Sequence, residues 1–393
     1  MEILKPFRFL ADNLISAISL ILMIGVMGTR PLVSLLANDL GASPLEIGII
    51  VGIYPLLPFF FAIKIGQYVD RIGPKLPIIV STFLCSLSLM IPLFSDQLLG
   101  LYLSQFFGGL LHTIFLISAQ TLVSGQETDG EAERDKNIMK FSIGMALGSF
   151  IGPLLGGVIA ENAGYHYAFG VLGGVGLLST LLAFYLPAAC TKSAKNGAAK
   201  KKVWQSIGLL KSVNIRKAFM ISILILLGKD IYTAYFPLLA LEFGLNDQQI
   251  GAAVAINAAA GILIRWSIPK LLKSFNKNRV IVFSILFSGI CMIALPFFPN
   301  WAMLSAISFL LGLGLGIGQP LSISATILYL PDDRIGEGLG LRLTANRLTQ
   351  ALAPMAFGAV AEVTAMSGVF WISGAILLFG SKATDIGPAK PIP

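Results

Sequence analysis

The sequence predicts an all-α integral membrane protein whose spans form two pseudo-symmetric six-helix bundles, and three observations carry that prediction. The 393 residues are 55% hydrophobic and only 12% charged, with a mean hydropathy of +0.82, far from the composition of a soluble domain. Lys and Arg gather in seven clusters separated by six stretches that lack both: 31–63, 76–133, 141–191, 230–264, 280–333 and 348–381. A weak internal repeat, at an offset of 201 to 203 residues, pairs Ile47-Gly48 with Ile250-Gly251, Gly73 with Asn276 and Gly152-Pro153 with Ala353-Pro354.

Most of the six stretches have room for two spans of roughly 20 residues, or for the end of one span and another. Each therefore reads as a passage out and back. Lys and Arg are retained on the cytoplasmic side, so this alternation predicts a multi-pass protein of the plasma membrane with both termini cytoplasmic. The net charge of +8 is then a topology signal and not a nucleic-acid footprint. Twelve spans are expected, at about 11–37, 44–65, 76–95, 98–122, 138–160, 165–187, 215–241, 247–267, 279–297, 300–329, 338–362 and 365–381. The domains are an amino-terminal bundle, 1–189, a basic cytoplasmic linker, 190–213, and a carboxy-terminal bundle, 214–393.

Nothing in residues 1–10 has the form of a cleaved signal peptide, so the first apolar run is expected to be the first span. It carries Arg30 in its outer half. Ser43-x-x-Glu46 reads as a capping box that opens the second span, and Asp247 is expected to cap the eighth in the corresponding place. The second span carries Tyr54 and ends in a polar interruption, Gly66-Gln-Tyr-Val-Asp70-Arg71-Ile-Gly73-Pro74-Lys75. This reads as a tight charged turn, with Gly73 at a positive φ and Gly66 where a neighbouring backbone comes close.

The spacing Gly66-x3-Asp70-Arg71-x-Gly73-x-Lys75 resembles the loop signature of the major facilitator superfamily of secondary transporters, although Pro74 stands where a basic residue is more usual. The resemblance implies the major facilitator fold, with substrate held near mid-membrane and this loop acting as a cytoplasmic gate. Asn276, at the position of Gly73 in the repeat, is the other residue type that tolerates left-handed backbone, so a similar turn is expected there.

The fourth span places Gln105, Gly108-Gly109 and then His112 in an apolar run. The resemblance leads to an Arg at the place of Gln105, and this chain lacks it. The fifth span reads Gly144-x3-Gly148-x3-Gly152-Pro153-x2-Gly156-Gly157. Glycines every four residues form a groove for a close helix, and Pro153 bends it. That spacing resembles the antiporter motif of twelve-helix drug and proton exporters. Cys85, Cys190 and Cys291 have no metal or redox spacing.

Charged groups within spans are costly, so each is a candidate for function. Asp230, near the middle of the seventh span, is the first candidate for carrying a coupling proton, and His112 the second. Lys229 adjoins Asp230 but points about 100° away around the helix. Polar and aromatic groups that could line a substrate cavity are Arg30, Tyr54, Gln105, Lys229, Tyr232, Tyr235, Asn257, Gln319 and Asn346. With Arg30 and Lys229, cations near the membrane interior outnumber anions, which suits an anionic or zwitterionic substrate. Arg342 is expected near a cytoplasmic helix end.

No phosphate-binding Gly-x4-Gly-Lys-Ser/Thr loop, zinc-type His-Glu-x-x-His or Gly-x-Ser-x-Gly element is present, so the sequence points to neither nucleotide hydrolysis nor an enzyme. The expected activity is export of a small organic molecule (a drug, a siderophore or metallophore, or a metabolite) in exchange for protons, by alternating access. A proton-coupled importer of a small metabolite is the alternative. No cofactor or metal beyond the proton gradient is expected, no nucleic acid, and a single chain is expected to function as a monomer in the bilayer.

Overall fold

The computed structural model describes residues 5–125, 131–186, 208–330 and 334–384. They are helical almost throughout: α1 (Lys5–Asp39), α2 (Pro44–Ile72), α3 (Lys75–Met90), α4 (Leu98–Gly125), α5 (Glu131–Ala163), α6 (Tyr165–Phe184), α7 (Val213–Glu242), α8 (Asp247–Ser274), α9 (Lys277–Ala294), α10 (Trp301–Tyr329) and α11 (Ile335–Ala383). All eleven are long and apolar enough to cross a membrane. The apolar part of α11 runs for 46 residues, about twice what a bilayer core of roughly 30 Å requires. Its helical backbone breaks at Ala365, with φ 63° and ψ 176°. The two arms lie where the sequence separates its last two spans, so eleven helices are consistent with twelve passes.

The chain divides into two compact units, 1–42 with 53–198 and 246–255, and 43–52 with 199–245 and 256–393. The units are not contiguous halves, because the first turns of α2 and α8 each group with the other half of the sequence. Most of the linker, 190–213, lies outside the described residues. In the first unit α1 packs most extensively along α5 and also along α6. Its core joins Ile15, Leu22 and Val26 of α1 with Ile78 and Cys85 of α3 and Phe115 of α4. In the second unit α7 packs chiefly on α11 and α10. Each of these central helices is more buried than the other spans of its unit.

Many buried hydroxyls are satisfied within their own helix, because lipid offers no hydrogen bond to a polar group. Ser19 donates to the Ile15 carbonyl, Ser118 to Ile114 and Ser288 to Ser284, each one turn back along its own helix.

Two turn expectations are corrected. The polar interruption is mostly helix: α2 continues to Ile72, because Val69 remains fully buried and holds one face of the last turns against the unit. Gln67, Asp70 and Arg71 are its exposed face, and Lys75 begins α3 half-buried. Gly73, at φ 85°, ends the helix by donating its amide to the Val69 carbonyl at 2.9 Å. Gly66 has nothing within 4 Å of where a Cβ would sit, so no backbone approaches it. Asn276 does not repeat the Gly73 turn. It has extended backbone (φ −62°, ψ 133°), and its side chain caps α9 by accepting the Asn278 amide.

The capping box is present at Ser43, whose amide donates to Glu46 Oε2 at 2.8 Å while its hydroxyl accepts the Glu46 amide at 3.3 Å. In α8 the cap is Asn246 and not Asp247: the Asn246 amide donates to Gln249 Oε1 (3.2 Å) and Asn246 Oδ1 accepts the Gln249 amide (2.9 Å). The two boxes stand 203 residues apart, so the repeat extends to hydrogen bonding. It also extends to packing. A Cβ on Gly48 would meet the Pro354 carbonyl, and one on Gly251 would meet the Pro153 carbonyl.

Candidate functional site

The glycine face of α5 is closed by α1. Gly144, Gly148, Gly152 and Gly156 are buried, and a Cβ on them would strike, in turn, the Ser16 carbonyl, Met23 Cβ at 2.5 Å, the Gly28 amide at 2.7 Å and the Gly28 carbonyl at 2.5 Å. Gly28 contributes a second bare surface, and the Ser16 hydroxyl donates to the Lys140 carbonyl at 2.7 Å where the seam begins. Gly157 points elsewhere, at Asp247 and Gly251 of α8. Pro153 lacks the amide that would bond the Ser149 carbonyl one turn back.

Three of the sequence candidates meet inside the first unit. Arg30 of α1 holds its guanidinium carbon 3.7 Å from the centre of the Tyr54 ring, within cation–π range. The Tyr54 hydroxyl lies 2.8 Å from His112 Nδ1 on α4. Tyr54 is 5% exposed and His112 6%.

Local sequence explains the meeting. Pro58 removes the amide that would bond the Tyr54 carbonyl, and Gly109 packs against that carbonyl so closely that no Cβ would fit. Gly109 thus lets α4 approach α2 just before His112, while Gly108 faces Ser88 of α3. Gln105, 2% exposed, lies two turns before His112 on the same face of α4. The arrangement brings a cation, a phenol and an imidazole together from three helices: the Tyr54–His112 hydrogen bond can relay a proton, and the guanidinium can receive an anionic group.

In the second unit Asp230 is half-buried, with Oδ2 shielded from solvent, whereas Lys229 is exposed. A rotation of about 100° around the helix therefore separates their environments. Tyr232 is buried; its hydroxyl donates to Ser308 Oγ at 2.8 Å, and Asn257 Nδ2 donates to the Ser308 carbonyl at 2.8 Å. Ser308 ties α7, α8 and α10 together. Asn346 Oδ1 accepts from the Ser222 hydroxyl at 2.7 Å, joining α11 to α7.

Tyr235 departs from its expected cavity role. It is fully buried, and its hydroxyl donates to the Pro354 carbonyl at 2.6 Å, with the Pro44 carbonyl at 3.4 Å. It packs against Gly48 and Gly358 and so anchors the first turn of α2 to α11. The side chain of Gln319 lies outside the described residues.

Arg342, expected near a helix end, is only 6% exposed, and its Nη2 donates to Ser322 Oγ at 2.7 Å. Sequence reading also missed a polar knot at the start of α8. The Tyr165 hydroxyl donates to Asp247 Oδ1 and the Asp247 amide to Glu161 Oε2, both at 2.9 Å. The side chain of Asp247 is thus committed to α6, which leaves the cap to Asn246. Among the described residues no cluster of three or more His, Cys, Asp or Glu is placed to hold a metal.

The family model of the Major Facilitator Superfamily matches residues 15–301 and 218–383. The chain belongs to that superfamily. Its relatives include an uncharacterized MFS-type transporter of Methanocaldococcus jannaschii, 25% identical over 355 residues that cover 89% of this chain and 91% of the relative. They also include the quinolone resistance protein NorA of Staphylococcus aureus, 22% identical over 362 residues, 91% of each chain.

Solved facilitator structures share the fold. A nucleoside transporter, NupG, superposes with a TM-score of 0.80 at 15% identity, covering 95% of this chain and 98% of its own. A bacterial homologue of the lysosomal transporter Spinster superposes at 0.76 and 14%, covering 98% and 100%. The protein is thus a multi-pass membrane transporter of small molecules, not an enzyme.

Proposed function

We propose that this facilitator exports a small organic molecule from the cytoplasm in exchange for protons. The observation that carries the reading is the α1–α5 seam, in which four buried glycines of the exporter-like motif stand against α1 with no room for a Cβ. Such a seam lets two helices move as one rigid pair, and a tight pair resists leakage of the ion that drives exchange. The relative named for quinolone resistance adds support for efflux. The nucleoside transporter is a likeness of fold alone.

In this reading Asp230 binds and releases the coupling proton and His112 is the secondary carrier, while Arg30 and Tyr54 receive an anionic or zwitterionic part of the substrate. Alternating access is powered by the proton gradient of the plasma membrane, both termini are cytoplasmic, and a single chain suffices. Asp70 and Arg71, exposed at the end of α2, act in gating.

The test is reconstitution in liposomes with an imposed pH gradient and a panel of candidate substrates. Counterflow of protons and substrate is expected, and Asp230→Asn should abolish the pH-driven component while leaving substrate exchange. Co-directional movement would replace export with the importer reading. Undiminished pH-driven transport by Asp230→Asn would remove Asp230 from the mechanism.

A further inference from the structure

Away from these residues, a slot of about 510 Å³ opens in the second unit among α8, α9 and α10, with Leu271, Phe283, Phe287 and Leu313 in its walls. Its size falls within the usual range for a small-molecule site. Phe283 and Phe287 stack with ring centres 6.0 Å apart, and Phe283 remains 68% exposed, as does Phe275 at 57%. In a membrane span such faces meet acyl chains.

The slot has one charged lining residue, Arg279. Around it the junction of α8 and α9 carries Lys270, Lys273 and Lys277. Lys277 is occupied by the Ser324 hydroxyl of α10. Among the described residues no carboxylate pairs with Lys270, Lys273 or Arg279.

An apolar slot that ends at a cluster of cations is complementary to a molecule that is a long hydrocarbon at one end and an anion at the other. A free phosphate would leave the slot unfilled, and a neutral lipid would leave the cations unanswered. By the retention rule this junction faces the cytoplasm, whose leaflet is rich in anionic lipid. We propose that the slot binds one anionic phospholipid, with an acyl chain beside Phe283, Phe287 and Leu313 and the head group on Arg279. The site does not depend on the direction of transport.

Native mass spectrometry of the full-length protein in mild detergent, titrated with phosphatidylglycerol or phosphatidylcholine, tests this. One retained phosphatidylglycerol is expected, preferred about fivefold or more over phosphatidylcholine, the effect of roughly one basic residue at a membrane surface. Arg279→Gln should remove that preference and Arg279→Lys should keep it; Leu313→Trp, which fills the slot, should lower retention of both lipids. Arg279 is exposed, so its variants read the site without threatening the fold. Equal retention of the two lipids by the unaltered protein, or a preference untouched by Arg279→Gln, would overturn the proposal.

Discussion

The hydroxyl of Tyr54 and Nδ1 of His112 lie 2.8 Å apart although 58 residues separate them in the chain. Arg30 covers a face of the same phenol ring, so Tyr54 serves two partners with two different parts of its side chain. Tyr54→Phe separates these roles by keeping the ring under Arg30 and removing the hydroxyl. Loss of this buried hydrogen bond should slow transport and lower stability by only about 1 kcal/mol. Tyr54→Ala should lose more stability, about 3 kcal/mol. Flux assays and melting curves on the two variants check the distinction.

The α1–α5 seam predicts an asymmetric response to added methyl groups. Gly152→Ala puts a Cβ 2.7 Å from the Gly28 amide, which forces two backbones apart and should cost about 1–3 kcal/mol. Gly174, in α6, has nothing within 4 Å of its Cβ position. Gly174→Ala should therefore be neutral or stabilise by up to about 1 kcal/mol through helix propensity. Thermal unfolding in detergent measures both.

At the end of α2 the two motif glycines should behave oppositely. Gly73 has φ 85°, so Gly73→Ala should cost about 1 kcal/mol or more from left-handed backbone. Gly66 is helical with open space around it, so Gly66→Ala should leave stability level or slightly raised. Equal loss in both variants would contradict the geometry.

Ala365 is the only non-glycine residue with positive φ among the described residues. Ala365→Gly relieves strain of about 1–3 kcal/mol in the folded state, offset in part by the greater freedom glycine gives the unfolded chain. A net gain in melting temperature is expected, while Ala365→Val should lower it.

The sequence reading located the spans because hydropathy and the retention of cations act over tens of residues and survive local error. It also anticipated the break near Ala365 and the Ser43 box, which depend on neighbours in the chain. Where it failed, tertiary contacts decided. The end of α2 looked like a loop because a helix exposed on most sides is polar on most sides, and only the burial of Val69 marks it as helix.

Asp247 looked like a cap because its side chain suits one, but Tyr165, 82 residues away, claims it. Tyr235 looked like a cavity residue, and the carbonyl of Pro354 claims its hydroxyl. The meeting of Arg30, Tyr54 and His112 had no signature beyond Gly108-Gly109, and the use of Gly109 as a place of close approach appears only with α2 beside it.

The joint at Gly48 and Pro354 occurs a second time at Gly251 and Pro153. One polypeptide thus contains a duplicated articulation, each copy a bare patch of one helix seated on the carbonyl of a proline in another. A defect in either copy has a built-in reference in its twin, and a change made in both should weaken the fold about twice as much as a change in one if the copies act independently.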